Sequence, residues 1–136
     1  MNFEWEQAVR SGDAAIVRRM SVDGQHLNSK DRYGQTGLML AVTRGHAEIV
    51  RMLVESGTEL NATAKFNLTA LMLAVINNHA EIVKILVEAG ADTNIRGTGA
   101  PGFYNKTALE LAEHAGRDEI VSILRKSSSP KEKSTD

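Results

Sequence analysis

The sequence contains no cysteine, and this absence excludes disulfide bonds and thiolate metal sites. Long apolar runs are also absent: stretches such as Leu38–Val42 are interrupted by polar residues, well short of the roughly 18 residues that a membrane-spanning helix needs. Residues 1–10 carry neither the basic start nor the apolar core of a secretory signal. We therefore expect a cytoplasmic protein that has no membrane partner and whose fold is held by packing alone.

Neither sign of charge dominates, because 16 Lys and Arg residues stand against 17 Asp and Glu residues, for a net charge of −1. No overall field therefore attracts the chain to nucleic acid or to an anionic membrane. The hydrophobic share of 42% and the charged share of 24% are those of an ordinary folded domain. Any electrostatic attraction must come from a local patch.

An internal repeat organises the chain. Residues 31–63 and 64–96 align without a gap and are identical at 16 positions. A third copy follows after five extra residues, and a degenerate copy comes first. We therefore predict a repeat domain over residues 1–126, in units of approximately 3–30, 31–63, 64–96 and 97–126. Residues 127–136 are wholly polar apart from one proline, so we expect a disordered tail there.

The apolar spacing in each full unit indicates two short helices. Leu38, Ala41 and Val42 recur at i, i+3 and i+4, and a second apolar group begins at Ile49 beyond a polar break. A threonine hydroxyl can cap the first helix of each unit; these threonines are Thr36, Thr69 and Thr107. Asn67 and Asn78 replace glycines of the preceding unit, so we expect both to adopt positive φ.

The segments Asp31–Asn61 and Ala64–Asn94, with G-H-A-E-I-V in the first and G-A-D-T-N in the second, resemble ankyrin repeats. The tetratricopeptide repeat fits worse, because each unit here ends in a G-x-x-x-N turn. The resemblance implies a mainly α solenoid of antiparallel helix pairs joined by projecting loops or β-hairpins. It also implies that partners bind at the loop tips and on the concave face of the inner helices, and that His46 and His79 bond neighbouring turns.

No arrangement of residues typical of catalysis is present. The sequence 97–102 matches G-x-G-x-x-G, but four further residues separate it from the predicted helix start at Thr107, so a loop insertion is the favoured interpretation over a dinucleotide site. His46 and His79 lie one repeat apart, which is unsuitable for sharing a metal ion on one helix face. We expect no catalytic residue, no cofactor and no metal.

Four of the six aromatic residues are predicted on the projecting loops, namely Tyr33, Phe66, Phe103 and Tyr104, whereas Phe3 and Trp5 are expected to pack in the first unit. Each loop ring could brace a neighbouring loop or contact a partner. Alignment of all four along one edge favours recognition. The same loops carry one acidic residue, Asp31, against five basic residues: Lys30, Arg32, Lys65, Arg96 and Lys106.

We therefore predict a monomeric, non-catalytic protein-binding module, whose partner presents an acidic or phosphorylated segment. A solvated basic rim is the simpler interpretation of these charges, and an enzyme is the least supported hypothesis. The alternative ligand is a nucleic acid or another anion bound by the same edge, with bases stacked on the aromatic rings. The predicted partner-binding residues are Arg32, Tyr33, Gln35, Arg44, Lys65, Phe66, Leu68, Ile76, Asn77, Phe103, Tyr104, Lys106 and His114.

Overall fold

The computed structural model describes residues 1–99 and 102–128, and these residues form eight α-helices and no β-strand. The helices are α1 (Phe3–Ser11), α2 (Ala14–Ser21), α3 (Gly37–Arg44), α4 (Ala47–Glu55), α5 (Ala70–Ile76), α6 (Ala80–Glu88), α7 (Ala108–Ala115) and α8 (Asp118–Ser128). Helices α1, α3, α5 and α7 pack side by side as an inner row, and α2, α4, α6 and α8 form an outer row. Each inner helix also packs on the outer helix that follows it, which confirms a mainly α solenoid of helix pairs.

The predicted threonines begin the inner helices. The Thr36 hydroxyl accepts a hydrogen bond from the Met39 N–H at 3.2 Å, and Thr69 does the same in the next unit. Thr107 and Glu110 form a complete capping box. Because each cap satisfies a backbone N–H that the helix leaves free, the start of every inner helix after α1 is fixed locally.

The core runs through both rows. Ile49 and Leu53 of α4 and Ile82 and Leu86 of α6 are fully buried, and they belong to the same cluster as the buried faces of the inner helices. Burial of each such side chain contributes about 1.5–3 kcal/mol. Helices of seven to eleven residues are marginal alone, so stacking of neighbouring pairs stabilises the array.

The first unit differs from the sequence prediction at Phe3. Trp5 is fully buried and stacks on the His26 ring, with 5.7 Å between centroids. Phe3 is 75% exposed, so the prediction that it packs in the first unit was wrong. Phe3 and Trp5 are two positions apart in the chain, which places them about 200° apart around α1. Trp5 also explains Gly37, because a Cβ there would lie 3.0 Å from the indole Nε1.

In every unit after the first, a side chain from the turn between the two helices forms a hydrogen bond with the unit before it. The Nε2 of His46 donates to the Arg10 carbonyl oxygen at 2.9 Å, and the Nε2 of His79 lies 3.4 Å from the Thr43 carbonyl oxygen. These bonds confirm the structural role that the resemblance implied for both histidines. In the fourth helix pair the guanidinium of Arg117 takes their place and donates to the Ile76 carbonyl oxygen at 3.3 Å.

The projecting loops are turns, and the β-hairpins allowed by the resemblance are not formed in the described residues. An isolated antiparallel bridge joins Lys30 and Thr36. Asp31 closes this loop tightly, since its carboxylate accepts from the N–H groups of Tyr33 and Gln35, both at 2.9 Å. Because these bonds close the turn within residues 31–35, no second bridge forms beside the one between Lys30 and Thr36.

The C-terminal helix extends slightly into the segment predicted as a tail. Helix α8 continues to Ser128, so residues 127 and 128 are helical. The rest of the predicted tail, residues 129–136, lies outside the described residues. No helix in the described part of the chain is long and apolar enough to span a membrane.

Candidate functional site

Three loops precede α3, α5 and α7, and we call their described residues together the tip edge: residues 30–36, 63–69, 97–99 and 102–107. Because the inner helices pack side by side, their N-terminal ends and these loops lie at one end of the array. Contacts between the loops are direct. A Cβ at Gly34 would lie 3.7 Å from the Ala64 Cα, and the Phe66 and Phe103 ring centroids are 6.1 Å apart. The three loops therefore form one continuous surface.

The same backbone hydrogen bond closes all three turns. The N–H of Asp31 donates to the Gln35 carbonyl at 2.9 Å, that of Ala64 donates to Leu68 at 2.9 Å, and that of Gly97 donates to Lys106 at 3.0 Å. The turn of the last unit is therefore closed in the same way as the other two, although it is five residues longer. Helix α7 begins only at Ala108, so the glycine-rich sequence does not open a helix as a dinucleotide site requires.

Each turn carries an aromatic ring two residues before its closing residue: Tyr33, Phe66 and Tyr104. The two tyrosines are the exposed members, at 64% and 67%, whereas Phe66 is half-buried. The four predicted tip rings are thus divided. Tyr33 and Tyr104 are open to solvent, and Phe66 and Phe103 contact each other.

Phe66 braces the enlarged turn of the fourth unit. Its carbonyl oxygen accepts from the Thr98 N–H at 2.7 Å, and a Cβ at Gly99 would overlap its ring. On the other side of the turn, the Arg96 guanidinium donates to the Asn105 carbonyl oxygen at 2.6 Å. Thr98 and Gly99 are therefore held against Phe66 of the third unit, and Asn105 is held by Arg96.

The cations on the tip edge, together with Arg96 just before its last loop, fall into paired and unpaired groups. Arg96 forms an ion pair with Glu110 at 3.0 Å, so it does not add to a free positive charge as the sequence had suggested. Asp31 faces Arg10 of α1, with 3.8 Å between the nearest charged atoms. Three exposed cations, Lys30, Arg32 and Lys65, make no ion pair with any described residue.

Two of these unpaired cations lie over aromatic rings. The Arg32 guanidinium carbon is 5.9 Å from the centroid of Tyr33, and the Lys65 Nζ is 5.1 Å from that of Phe66. A cation at this distance is attracted to the face of the ring. The tip edge therefore presents positive charge beside aromatic surface in two successive units.

The pKa of the Glu110 carboxyl group, beside the tip edge, is lowered. The Thr107 N–H donates to its Oε1 at 3.0 Å, and this bond, followed by the charge of Arg96, holds the pKa of Glu110 below its ordinary value of 4.5. The carboxylate is therefore ionised at neutral pH, and the Arg96 pair is intact there.

Leu68 was predicted to contact a partner, and its burial contradicts that prediction. The side chain is 8% exposed and belongs to the core cluster. Its backbone closes the turn with Ala64, which directs the side chain beneath the loop. Gln35 holds the equivalent position in the preceding unit and is half-buried, and so is Lys106 in the last.

The remaining predicted residues lie at the other end of the inner helices. Arg44, Asn77 and His114 are exposed near the C-terminal ends of α3, α5 and α7, and Ile76 beside them is half-buried. An inner helix of eight residues is about 12 Å long. The structure therefore does not bring these four residues to the tip edge.

A cleft of about 250 Å³ beside Tyr33 includes residues that the sequence analysis missed. Arg10 and Glu6 of α1 line it together with Asp31 and Arg32. Only the contact between the first two units reveals Arg10 as a neighbour, since it lies 21 positions before Asp31 in the chain. Among the described residues, no group of three or more His, Asp or Glu side chains is placed to hold a metal ion.

Comparison with known proteins identifies the repeats. A family model described as ankyrin repeats, in 3 copies, matches residues 5–97, a span that contains helices α2 to α6 and most of α1. No curated protein is significantly similar to the chain. Ankyrin repeats are generally protein–protein interaction modules. Since the match covers more than half of the residues and the helix pairs stack as such repeats do, the chain belongs to the ankyrin repeat family.

Proposed function

We propose that this chain is a non-catalytic, monomeric module of the cytoplasm that binds a partner protein through the tip edge and the concave face of the inner helices. The observation that carries the proposal is the exposure of Tyr33 and Tyr104 on one continuous edge. Tyrosine is enriched at binding hot spots, because it offers a large rigid ring with a polar end. Exposed aromatic rings that do not contribute to the core favour recognition over stability.

The charge of the edge indicates the chemistry of the partner. Lys30, Arg32 and Lys65 are exposed and form no ion pair with a described residue, although other exposed arginines, such as Arg19 and Arg51, have carboxylate partners. An acidic or phosphorylated segment would supply the missing counter-charge. The proposed tip contacts are Arg32, Tyr33, Gln35, Lys65, Phe66, Phe103, Tyr104 and Lys106.

The inner-helix residues would form a second contact area. Arg44, Ile76, Asn77 and His114 lie about one helix length, or 12 Å, from the tip edge. A partner that reaches both areas has to cover the inner row of helices. We therefore assign the anchoring contacts to the tip edge and the supporting contacts to these four residues.

Nucleic acid is the second candidate ligand, because the same cations and rings could hold phosphates and stack bases. Affinity for nucleic acid commonly rests on about 6–10 neutralised phosphates. The tip edge offers three exposed unpaired cations, and the net charge of the chain is −1. A protein segment is therefore the better supported ligand.

The test is affinity capture from an extract of the source cells with three proteins: wild type, a Tyr33→Ser/Tyr104→Ser variant and a Val22→Ser control. Val22 is 83% exposed at the end of α2, so the control also removes exposed apolar surface but leaves the tip edge intact. We expect one or more proteins to be retained by wild type and control and lost from the double variant. Equal retention by all three would contradict the assigned surface.

The nucleic-acid alternative is tested with a fluorescent single-stranded oligonucleotide at low salt, where phosphate contacts are strongest. Absence of a polarisation change is the expected result. A salt-sensitive change that disappears in an Arg32→Gln/Lys65→Gln variant would favour nucleic acid instead.

A further inference from the structure

We infer that the tip edge takes an extended, carboxylate-rich segment of the partner that spans Tyr33 and Tyr104. The inference rests on the proposed function and adds the conformation, the length and the charge of the bound segment. It follows from the division of the tip rings into two exposed tyrosines and a recessed, braced phenylalanine between them.

The length comes from the repeat geometry. Tyr33 and Tyr104 each lie two residues before the closing residue of a turn, and these turns precede α3 and α7, two units apart. Neighbouring packed helices lie about 8–10 Å apart, so the two tyrosines are separated by about 20 Å. An extended chain advances about 3.3 Å per residue, so about six residues span this distance. A segment that contacts both rings therefore needs about seven residues.

The shape of the edge favours an extended segment over a helix. Phe66 lies on the loop between those of the two tyrosines; its carbonyl oxygen accepts from Thr98 and its ring contacts Phe103, so this ring is half-buried whereas the two tyrosine rings are exposed. A partner helix would need a continuous apolar groove, whereas this edge is a row of separate loop tips on which cations lie beside the rings. An extended chain can lie along such a row and place alternate side chains against it.

The distribution of charge favours carboxylates over a phosphate. Arg32 and Lys65 lie on different loops, each over its own ring, and do not converge on one point. A phosphate dianion is held best where several donors converge. Cations spaced by one repeat match singly charged side chains spaced along a strand.

The experiment is selection from a displayed library of random dodecapeptides against the full chain, followed by binding measurements on synthetic peptides. We expect selected peptides to be enriched in Asp and Glu over the unselected library. Either Tyr33→Ser or Tyr104→Ser alone should weaken binding by roughly tenfold or more, as loss of a hot-spot tyrosine does. Truncation below the spanning length should also abolish binding, even where the acidic residues are kept.

Charge is tested by Lys65→Gln against a matched control, Lys84→Gln. Lys84 is exposed on the outer helix α6, so its loss changes the net charge equally but leaves the tip edge unaltered. The inference predicts weaker peptide binding for the first variant only. A glutamate-to-phosphoserine exchange in the best peptide should give no large gain in affinity, and a large gain would overturn the choice of carboxylate.

Other outcomes separate the inference from the proposed function. Peptides that depend on only one tyrosine, or that bind equally when cut to four residues, would overturn the two-tyrosine span and leave a tip-binding module. Failure to select any peptide, with tyrosine-dependent capture of a folded protein, would overturn the extended segment alone. Equal capture of the partner protein by wild type and by the Tyr33→Ser/Tyr104→Ser variant would contradict the proposed function as well.

Discussion

The imidazole ring of His79 lies directly against Gly45, where a Cβ would come within 2.9 Å of the ring carbon Cε1. His46 and Gly12 repeat this relationship one unit earlier, at 3.0 Å. In the next unit the glycine is replaced by Asn78, and an arginine, Arg117, stands where the histidine would be. The Asn78 side chain explains why arginine replaces histidine at position 117. The long, flexible side chain of arginine fits beside Asn78, whereas an imidazole ring would overlap it.

This relationship predicts that Arg117→His is destabilising alone and is rescued by Asn78→Gly. The new ring would crowd the Asn78 Cβ, and overpacking of this kind costs about 1–3 kcal/mol. Glycine at position 78 removes the Cβ and accepts the φ of 60° found there. Urea denaturation of the wild type, both single variants and the double variant measures the coupling between the two positions.

We expect a coupling energy of about 1 kcal/mol or more in favour of the double variant. Purely additive effects at positions 78 and 117 would mean that the two residues do not constrain each other.

The second prediction concerns the enlarged turn of the fourth unit. Gly99→Ala should destabilise the protein by more than 1 kcal/mol, because it combines a φ of 77° with overlap of the Phe66 ring. Gly24→Ala carries only the positive φ of 71°, with nothing within 4 Å, and should cost about 1 kcal/mol. Gly102 has neither a positive φ nor an atom within 4 Å of its Cβ position, so Gly102→Ala should leave the stability nearly unchanged.

Thermal unfolding of the three glycine variants, monitored by circular dichroism, gives their order. If Gly99→Ala is no worse than Gly24→Ala, the turn is not packed against Phe66 in solution.

The third prediction is a pH dependence caused by Glu110. Since its pKa in the folded protein is held below 4.5 by the Thr107 N–H and then by Arg96, the carboxylate contributes stability that is present above pH 4.5. That contribution is lost as the pH falls through the folded-state pKa. Glu110→Gln should therefore be less stable than wild type at pH 7, and the difference should narrow below pH 4.5.

Denaturant unfolding between pH 3 and pH 7 measures this difference. Glu59→Gln is the matched control, because this exposed loop carboxylate accepts no hydrogen bond from any described residue. A difference between wild type and Glu110→Gln that stays constant over the whole range would show that ionisation of Glu110 has no part in stability.

The features that the sequence predicted correctly depend on residues close together in the chain. The cap at Thr36 and the positive φ of Asn67 and Asn78 are each set within one turn of backbone. The repeat register then placed the helix pairs, because identical units stack in the same way.

The features that it missed depend on distant neighbours. Glu110 neutralises Arg96 from 14 residues away, and Gly99 packs against Phe66 from the next unit. Phe3 lies in a degenerate unit, where the repeat pattern does not show which side of α1 is covered. Leu68 could have been assigned correctly from its apolar character alone, because a leucine at a turn base is more often buried than exposed.

The central claim is that Tyr33 and Tyr104 contact the partner protein, and hydroxyl-radical footprinting of the captured complex tests it most directly. Phe3 serves as an internal reference, since its ring is 75% exposed and lies on the first unit, outside the tip edge. We predict that both tyrosines lose reactivity when the partner is bound, and that Phe3 remains as reactive as in the free protein. Unchanged labelling of Tyr33 and Tyr104, with protection of Phe3 instead, would contradict the account.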